Sequence, residues 1–279
     1  MAQTTSSTAP TLPELIKQYQ ALTTGVINFE LYNQMVHTHH STAIEGSTLT
    51  LLETQTLLEK GLTAGGKPLE HHLMVVDHQT AQQLVLDWAT QHEPLNRDRL
   101  QAIAAATMRQ TGGPTNTLLG TFDSSLGQFR TVSAMAGSRM FLDAKKVPAA
   151  VDTLLKEMNT LLPAAKTVRQ VYDLSFQVHF QLVSIHPFGD GNGRTSRLLM
   201  NYVQQYHGLP LSLVYAQDRT AYIAALEESR RQEVTKPMSD FMYGQLTQFL
   251  TQEIARLIKP QVPKKGDILK NKGGLTLLF

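Results

Sequence analysis

Residues 186–197 read His-Pro-Phe-Gly-Asp-Gly-Asn-Gly-Arg-Thr-Ser-Arg: one histidine, one carboxylate and two arginines strung along three glycines. Proline at 187 disfavours α backbone at His186, so an incoming helix should end there with the imidazole at its tip. Gly189, Gly191 and Gly193 permit a tight turn whose backbone N–H groups face inward as an anion nest. A second helix is expected from about Arg194, capped by Asn192 or Gly193, with its positive end on the same point. Arg194 and Arg197 share a helix face and offer planar forks of donors to phosphate oxygens. Polyphosphate is the ligand that fits. A carboxylate beside phosphates, here Asp190, suits Mg2+, which takes few protein ligands and completes its shell with phosphate oxygens and water. His186 can act as a general base at neutral pH. The pattern is not a Walker loop, because Gly-x-x-x-x-Gly-Lys-Ser/Thr is missing.

The elements that must hold this loop are mostly helices. Helical spacing places candidates at 13–22, 27–40, 50–61, 68–91, 95–110, 147–162, 167–185, 194–207, 219–231 and 237–258. The segment before His186 tests the pattern. Leu174, Phe176, Val178, Phe180 and Leu182 alternate with polar residues, as a strand would. The same stretch carries two helical stripes, Val171-Leu174-Val178-Leu182-Ile185 and Tyr172-Phe176-Phe180-Val183. Its length without Gly or Pro favours a helix buried on two sides, at the centre of a bundle. Leu198, Leu199, Tyr202 and Val203 should anchor the helix after the loop, and Gly208-Leu209-Pro210 should stop it. Residues 111–146, rich in glycine, suggest loops and one short hairpin, drawn from Gln128–Val132 and Met140–Leu142. The expected organisation is a mobile tail at 1–10, an N-terminal helical region at 11–110, a core at 111–258 and a basic tail at 259–279.

Composition narrows the class. In 279 residues, 42% are hydrophobic and 17% charged, enough apolar material for a core and too little charge for a disordered chain. No apolar run approaches a membrane span, and the N-terminus lacks a secretory signal. A formal charge of +2 argues against a nucleic-acid partner. Zero cysteines exclude disulfides, Cys-ligated zinc and a thiol nucleophile, and fit a cytoplasmic protein. His37, His39, His40, His71 and His72 match no common metal spacing and read as surface residues.

The loop resembles the signature of Fic-domain proteins, His-x-Phe-x-Asp/Glu-Gly-Asn-Gly-Arg-x-x-Arg, at all eight fixed positions. Ser41-Thr42-Ala43-Ile44-Glu45-Gly46 is similar to the inhibitory pattern Ser/Thr-x-x-x-Glu-Gly/Asn of that family. Gly127-Gln128-Phe129-Arg130 through Val147-Pro148 is similar to its flap, placed here at 127–142. Asp218-Arg219-Thr220-Ala221-Tyr222 resembles its helix after the active loop. The resemblance spans roughly residues 35–255 and implies an all-α fold, a helical bundle around a buried central helix with one β-hairpin flap.

The activity implied is protein adenylylation: AMP passes from ATP to a Tyr, Thr or Ser hydroxyl of a target protein docked on the flap. By this resemblance His186 is the base, Phe188 anchors the loop in the core and Asp190 holds Mg2+. Gly191, Asn192 and Gly193 form the anion hole, with Asn192 near the α-phosphate. Arg194 contacts the β/γ-phosphates and Arg197 the γ-phosphate. Ser41, Glu45 and Gly46 belong to an inhibitory helix whose Glu45 pairs with Arg197. Tyr222 fits either the nucleotide pocket or the core. Self-modification is expected and an oligomer is compatible with the chain. AMP removal, a different phosphate-containing donor, or ATP binding without turnover would use the same loop.

Overall fold

The computed structural model describes residues 10–26, 28–136 and 139–259. The tails expected at 1–10 and 259–279 lie outside the described residues, apart from Pro10 and Lys259. The helices are α1 (Leu12–Thr23), α2 (Phe29–Ile44), α3 (Leu51–Lys60), α4 (Leu69–Thr90), α5 (Arg97–Thr107), α6 (Val147–Leu161), α7 (Val168–Ile185), α8 (Asn192–Tyr206), α9 (Arg219–Arg231) and α10 (Lys236–Ile258). Between α5 and α6 run β1 (Pro114–Thr117), β2 (Gly120–Asp123), β3 (Met135–Ala136) and β4 (Arg139–Met140). The all-α expectation is met. None of these helices is long and apolar enough to cross a membrane.

The two stripes on α7 explain the architecture. Val171, Leu174, Val178 and Leu182 join one apolar cluster with Leu100 and Ile103 of α5, Leu154 of α6 and Leu198, Tyr202 of α8. Tyr172, Phe176 and Val183 join a second cluster with Leu15 of α1, Leu226 of α9 and Leu246, Phe249 of α10. A helix buried on both sides has no use for strand alternation, and the longer period wins. Thr167 starts α7 with a capping box: its hydroxyl accepts from Gln170 N, and Gln170 Oε1 accepts from Thr167 N at 3.0 Å. The helix ends at His186, whose φ of 54° turns the chain left-handed before Pro187.

Most helix bounds shift by one to three residues, and three differences bear on the site. α2 continues past 40 to Ile44, because Thr42 Oγ1 bonds back to Thr38 O and the polar run His39–Thr42 packs against neighbours. α8 begins at Asn192 rather than Arg194, with Gly191 as its cap at φ 76°. The expected pairing within 127–142 is formed by β3 with β4, and a second antiparallel pair, β1 with β2, precedes it. Gln128–Val132 is not a strand. There Phe129 forms a single bridge to Phe188 instead, which ties the flap base to the loop.

Candidate active site

Residues 186–191 cross from the C-terminus of α7 to the N-terminus of α8. Phe188 is buried at 1% exposure, and its ring packs on Phe129 at 5.5 Å. Asn192 stitches the turn from inside: its Nδ2 donates to Phe188 O and its Oδ1 accepts from Phe188 N, both at 2.9 Å. The Asn192 carboxamide is thereby used within the loop, so toward an anion the residue presents its backbone N–H. Three first-turn donors, the N–H groups of Asn192, Gly193 and Arg194, stand at the positive end of α8. Gly189 leaves no room for a side chain, since a Cβ there would lie 2.3 Å from the Phe122 ring of β2.

Asn192→Ala should strand the Phe188 N–H and C=O in the core, at a cost of about 2–4 kcal/mol. We expect the melting temperature to fall by roughly 5–10 °C. A melt superimposable on that of the unmodified protein would disprove the stitch.

Asp190 faces solvent with its side chain 72% exposed and lies 3.9 Å from Arg194. Arg194 itself is buried, its Nη1 donating to Thr107 O at 3.2 Å at the end of α5. Arg197, also buried, turns to α2: Nε donates to Ser41 Oγ, and Nη2 donates to Ser41 O, both at 2.9 Å. The same Nη2 pairs with Glu45 Oε1 at 2.7 Å. Burial pushes the Glu45 carboxyl up, but Arg197, with Arg194 and Arg219, outweighs it and holds the group below the usual carboxylate range. Glu45 also lies over the first turn of α8, where a Cβ on Gly193 would come within 2.5 Å of Oε1. Only glycine allows that approach. Gly46, at φ 107°, closes α2: its N–H bonds Ala43 O, and Ser47 N–H bonds Thr42 O.

Tyr222 lies in the core beneath Arg197. It is buried at 2% exposure, with its hydroxyl 2.9 Å from His179 Nε2 and against the Arg197 side chain. The sequence reading missed Arg130. Buried at 3% exposure, it donates from Nε to His186 O at 2.7 Å, from Nη1 to Val132 O at 2.7 Å, and from Nη2 to Leu142 O. One guanidinium thus fastens the end of α7 to both sides of the flap. An arginine beside Phe129 in a glycine-rich stretch, with five donors to spend on free carbonyls, was the available signal.

The histidines need correction as well. His37 and His72 are buried and His39, His40 and His71 half-buried, because α2 and α4 are enclosed on several sides. Some of them accept backbone hydrogen bonds, Ala64 N donating to His72 Nε2 and Ala216 N to His40 Nδ1, while the His37 ring packs edge-on against Phe249. Among the described residues no three His, Asp or Glu side chains are grouped to hold a metal ion. Burial lowers His37 and His179 to about 3 and His40 and His186 to about 4. His186 is therefore a neutral imidazole at pH 7. Because these folded-state values lie below the unfolded value near 6.5, the unfolded chain binds more protons between them. Stability is then fully present above about pH 6.5 and lost as pH falls toward 4. His37 and His179 should each contribute a slope of up to about 1.4 kcal/mol per pH unit in that window. Melting temperatures should drop steeply from pH 7 to pH 5, and less steeply in a His37→Gln, His179→Gln variant. Equal slopes would contradict the assignment.

Residues 94–204 match the Fic/DOC family. Protein adenylyltransferase Fic of Nematostella vectensis is 30% identical over 203 residues, covering 71% of this chain and 44% of that protein. The protein of the same name from Culex quinquefasciatus is 27% identical over 223 residues, covering 79% and 42%. The chain thus spans less than half the length of these relatives. Among solved structures, a Fic domain-containing signalling protein from Bacteroides thetaiotaomicron superposes with a TM-score of 0.74 at 20% identity, covering 88% of this chain and 96% of that one. Residues 134–508 of Fic-1 from C. elegans give a TM-score of 0.69 at 20% identity, covering 88% and 69%. Both share the fold.

Proposed function

The chain is a Fic-domain protein with a Fic/DOC family domain over residues 94–204, and from that premise we propose that it transfers AMP from ATP to a target-protein hydroxyl under restraint by Glu45. The observation that carries this reading is the meeting, on one loop, of a neutral His186, a free helix N-terminus and Arg197, with the Glu45 carboxylate lying where an anion would bind. Two relatives bear the activity in their names.

His186 takes the hydroxyl proton as the acceptor oxygen bonds to the α-phosphorus. The bond from that phosphorus to the β-bridging oxygen breaks, and pyrophosphate leaves. The N–H groups of Asn192, Gly193 and Arg194, with the Gly191 turn, take the charge that develops on the α-phosphoryl oxygens. Arg194 and Arg197 hold the outer phosphates, and Phe188 keeps the loop in register with the core. Asp190 would hold Mg2+. One exposed carboxylate beside a phosphate site suits this ion, whose remaining ligands come from phosphate and water. When bound, the ion neutralises charge across the phosphates. A target segment presenting Tyr, Thr or Ser would pair along the flap, where main-chain bonds set its register; the chain's own hydroxyls are candidate acceptors.

Incubation with ATP labelled at the α-phosphate, in Mg2+, tests the reading on the protein and on added candidate targets. Covalent label with stoichiometric pyrophosphate is expected. Absence of label from both the unmodified chain and Glu45→Gly would overturn it.

A further inference from the structure

One face of the His186 imidazole is covered by the flap. Phe141, just after β4, stacks on it with ring centroids 3.9 Å apart and planes 16° apart. Arg139 of β4 lies over the Phe141 ring, 4.9 Å from its centroid. From there a polar chain leads back to α7. Arg139 pairs with Glu227 of α9 at 3.4 Å, and Glu227 pairs with Arg230 at 2.6 Å. Arg230 donates to Ser184 Oγ at 3.2 Å and to Val183 O at 3.4 Å, in the last turn before His186. The backbone at Phe141 is fixed too, its N–H donating to Ala134 O at 3.0 Å and the Leu142 carbonyl accepting from Arg130. The stack is therefore held at both ends, by α7 beneath the histidine and by α9 beside the phenylalanine.

We propose that Phe141 is a positioning residue for His186, fixing the imidazole plane so that a ring nitrogen meets the acceptor hydroxyl edge-on. The proposal rests on reading His186 as the base. A nitrogen lone pair lies in the ring plane, so proton transfer needs that plane aimed at the hydroxyl. An imidazole free to rotate about its χ2 bond would meet the hydroxyl correctly only part of the time, and loss of such alignment costs on the order of 100-fold in rate. Phe141 also sheds water from one ring face. The charged groups around the imidazole are Arg130, Arg139 and Arg230, with Glu227 beyond them, and the Val183 backbone adjoins the ring.

Phe141→Ala and Phe141→Tyr, each in the full chain, test this by NMR and by label transfer in the Glu45→Gly background. In the unmodified protein the ring current of Phe141 should shift the His186 Hε1 and Hδ2 signals upfield. Phe141→Ala should lose that shift, titrate His186 at higher pH, and lower kcat by about 10–100-fold with KM for ATP within about twofold. Phe141→Tyr, which keeps the stacked ring, should restore all three. An alanine variant with unmoved His186 signals, or with kcat within twofold, overturns the proposal, as does a tyrosine variant that behaves like alanine. If no variant transfers label, the AMP-transfer reading falls, while the chemical shifts still decide whether Phe141 fixes the ring.

Discussion

His186→Ala should abolish label transfer, by at least about 10²–10⁴-fold, while ATP affinity stays within about twofold. On the proposed reading the imidazole would act on the acceptor hydroxyl, whereas the nucleotide would be gripped by the first turn of α8 and by Arg194 and Arg197, whose hydrogen bonds run to Thr107, Met108, Ser41 and Glu45 rather than to His186. The substitution carries one complication. His186 sits at φ 54°, where alanine is strained by about 1–2 kcal/mol but asparagine is tolerated. His186→Asn keeps the backbone turn and still lacks a base, so it should be as inactive as His186→Ala while melting closer to the unmodified protein. Isothermal titration with ATP alongside the transfer assay separates the two effects. Transfer at the unmodified rate in either variant would remove His186 from its role.

How much of this could be read from the sequence follows from how local each signal is. The two stripes on α7 are a periodicity within eighteen residues, and they found both apolar clusters. Proline and glycine act on adjacent dihedrals, so the end of α7 at His186 and the turn after it were equally accessible. The stitch from Asn192 to Phe188 was not, because a carboxamide that could face phosphate or backbone looks the same in sequence. Arg130 was missed for the opposite reason. Its partners, the carbonyls of His186, Val132 and Leu142, belong to three segments that only the fold brings together. The histidines of α2 and α4 misled because a polar side chain defaults to the surface, yet these helices are enclosed and offer it buried partners.

Glu45→Gly should raise transfer by one to three decades, and the reason lies in what shares Arg197. The guanidinium spends Nε and one bond of Nη2 on Ser41, and the other bond of Nη2 on Glu45. Its fork suits a carboxylate or a phosphate at that position but not both together. On the proposed reading the γ-phosphate would have no clamp while Glu45 is in place, and the carboxylate over Gly193 would repel negative charge at the first turn of α8. The Glu45 side chain is 32% exposed and that of Arg197 only 5%, so the pair sits at the boundary between core and solvent. Such a charge-assisted contact contributes a few kcal/mol at most, equivalent to about 10- to 1000-fold in rate when released. Because Arg197 holds Glu45 ionised, raising the pH above neutral leaves the restraint intact. Removing the carboxylate leaves Arg197 buried beside Ser41 and Tyr222 without a counter-charge, so the variant should melt lower without ATP and recover more than the unmodified protein when ATP is added. Glu45→Gly combined with His186→Ala should be inactive, and Arg197→Ala should fail to activate, because it would remove the proposed γ-phosphate clamp along with the inhibitory partner. Label incorporation by the unmodified chain and Glu45→Gly, side by side, decides the matter; equal or lower incorporation in the variant means that the contact between Glu45 and Arg197 imposes no restraint.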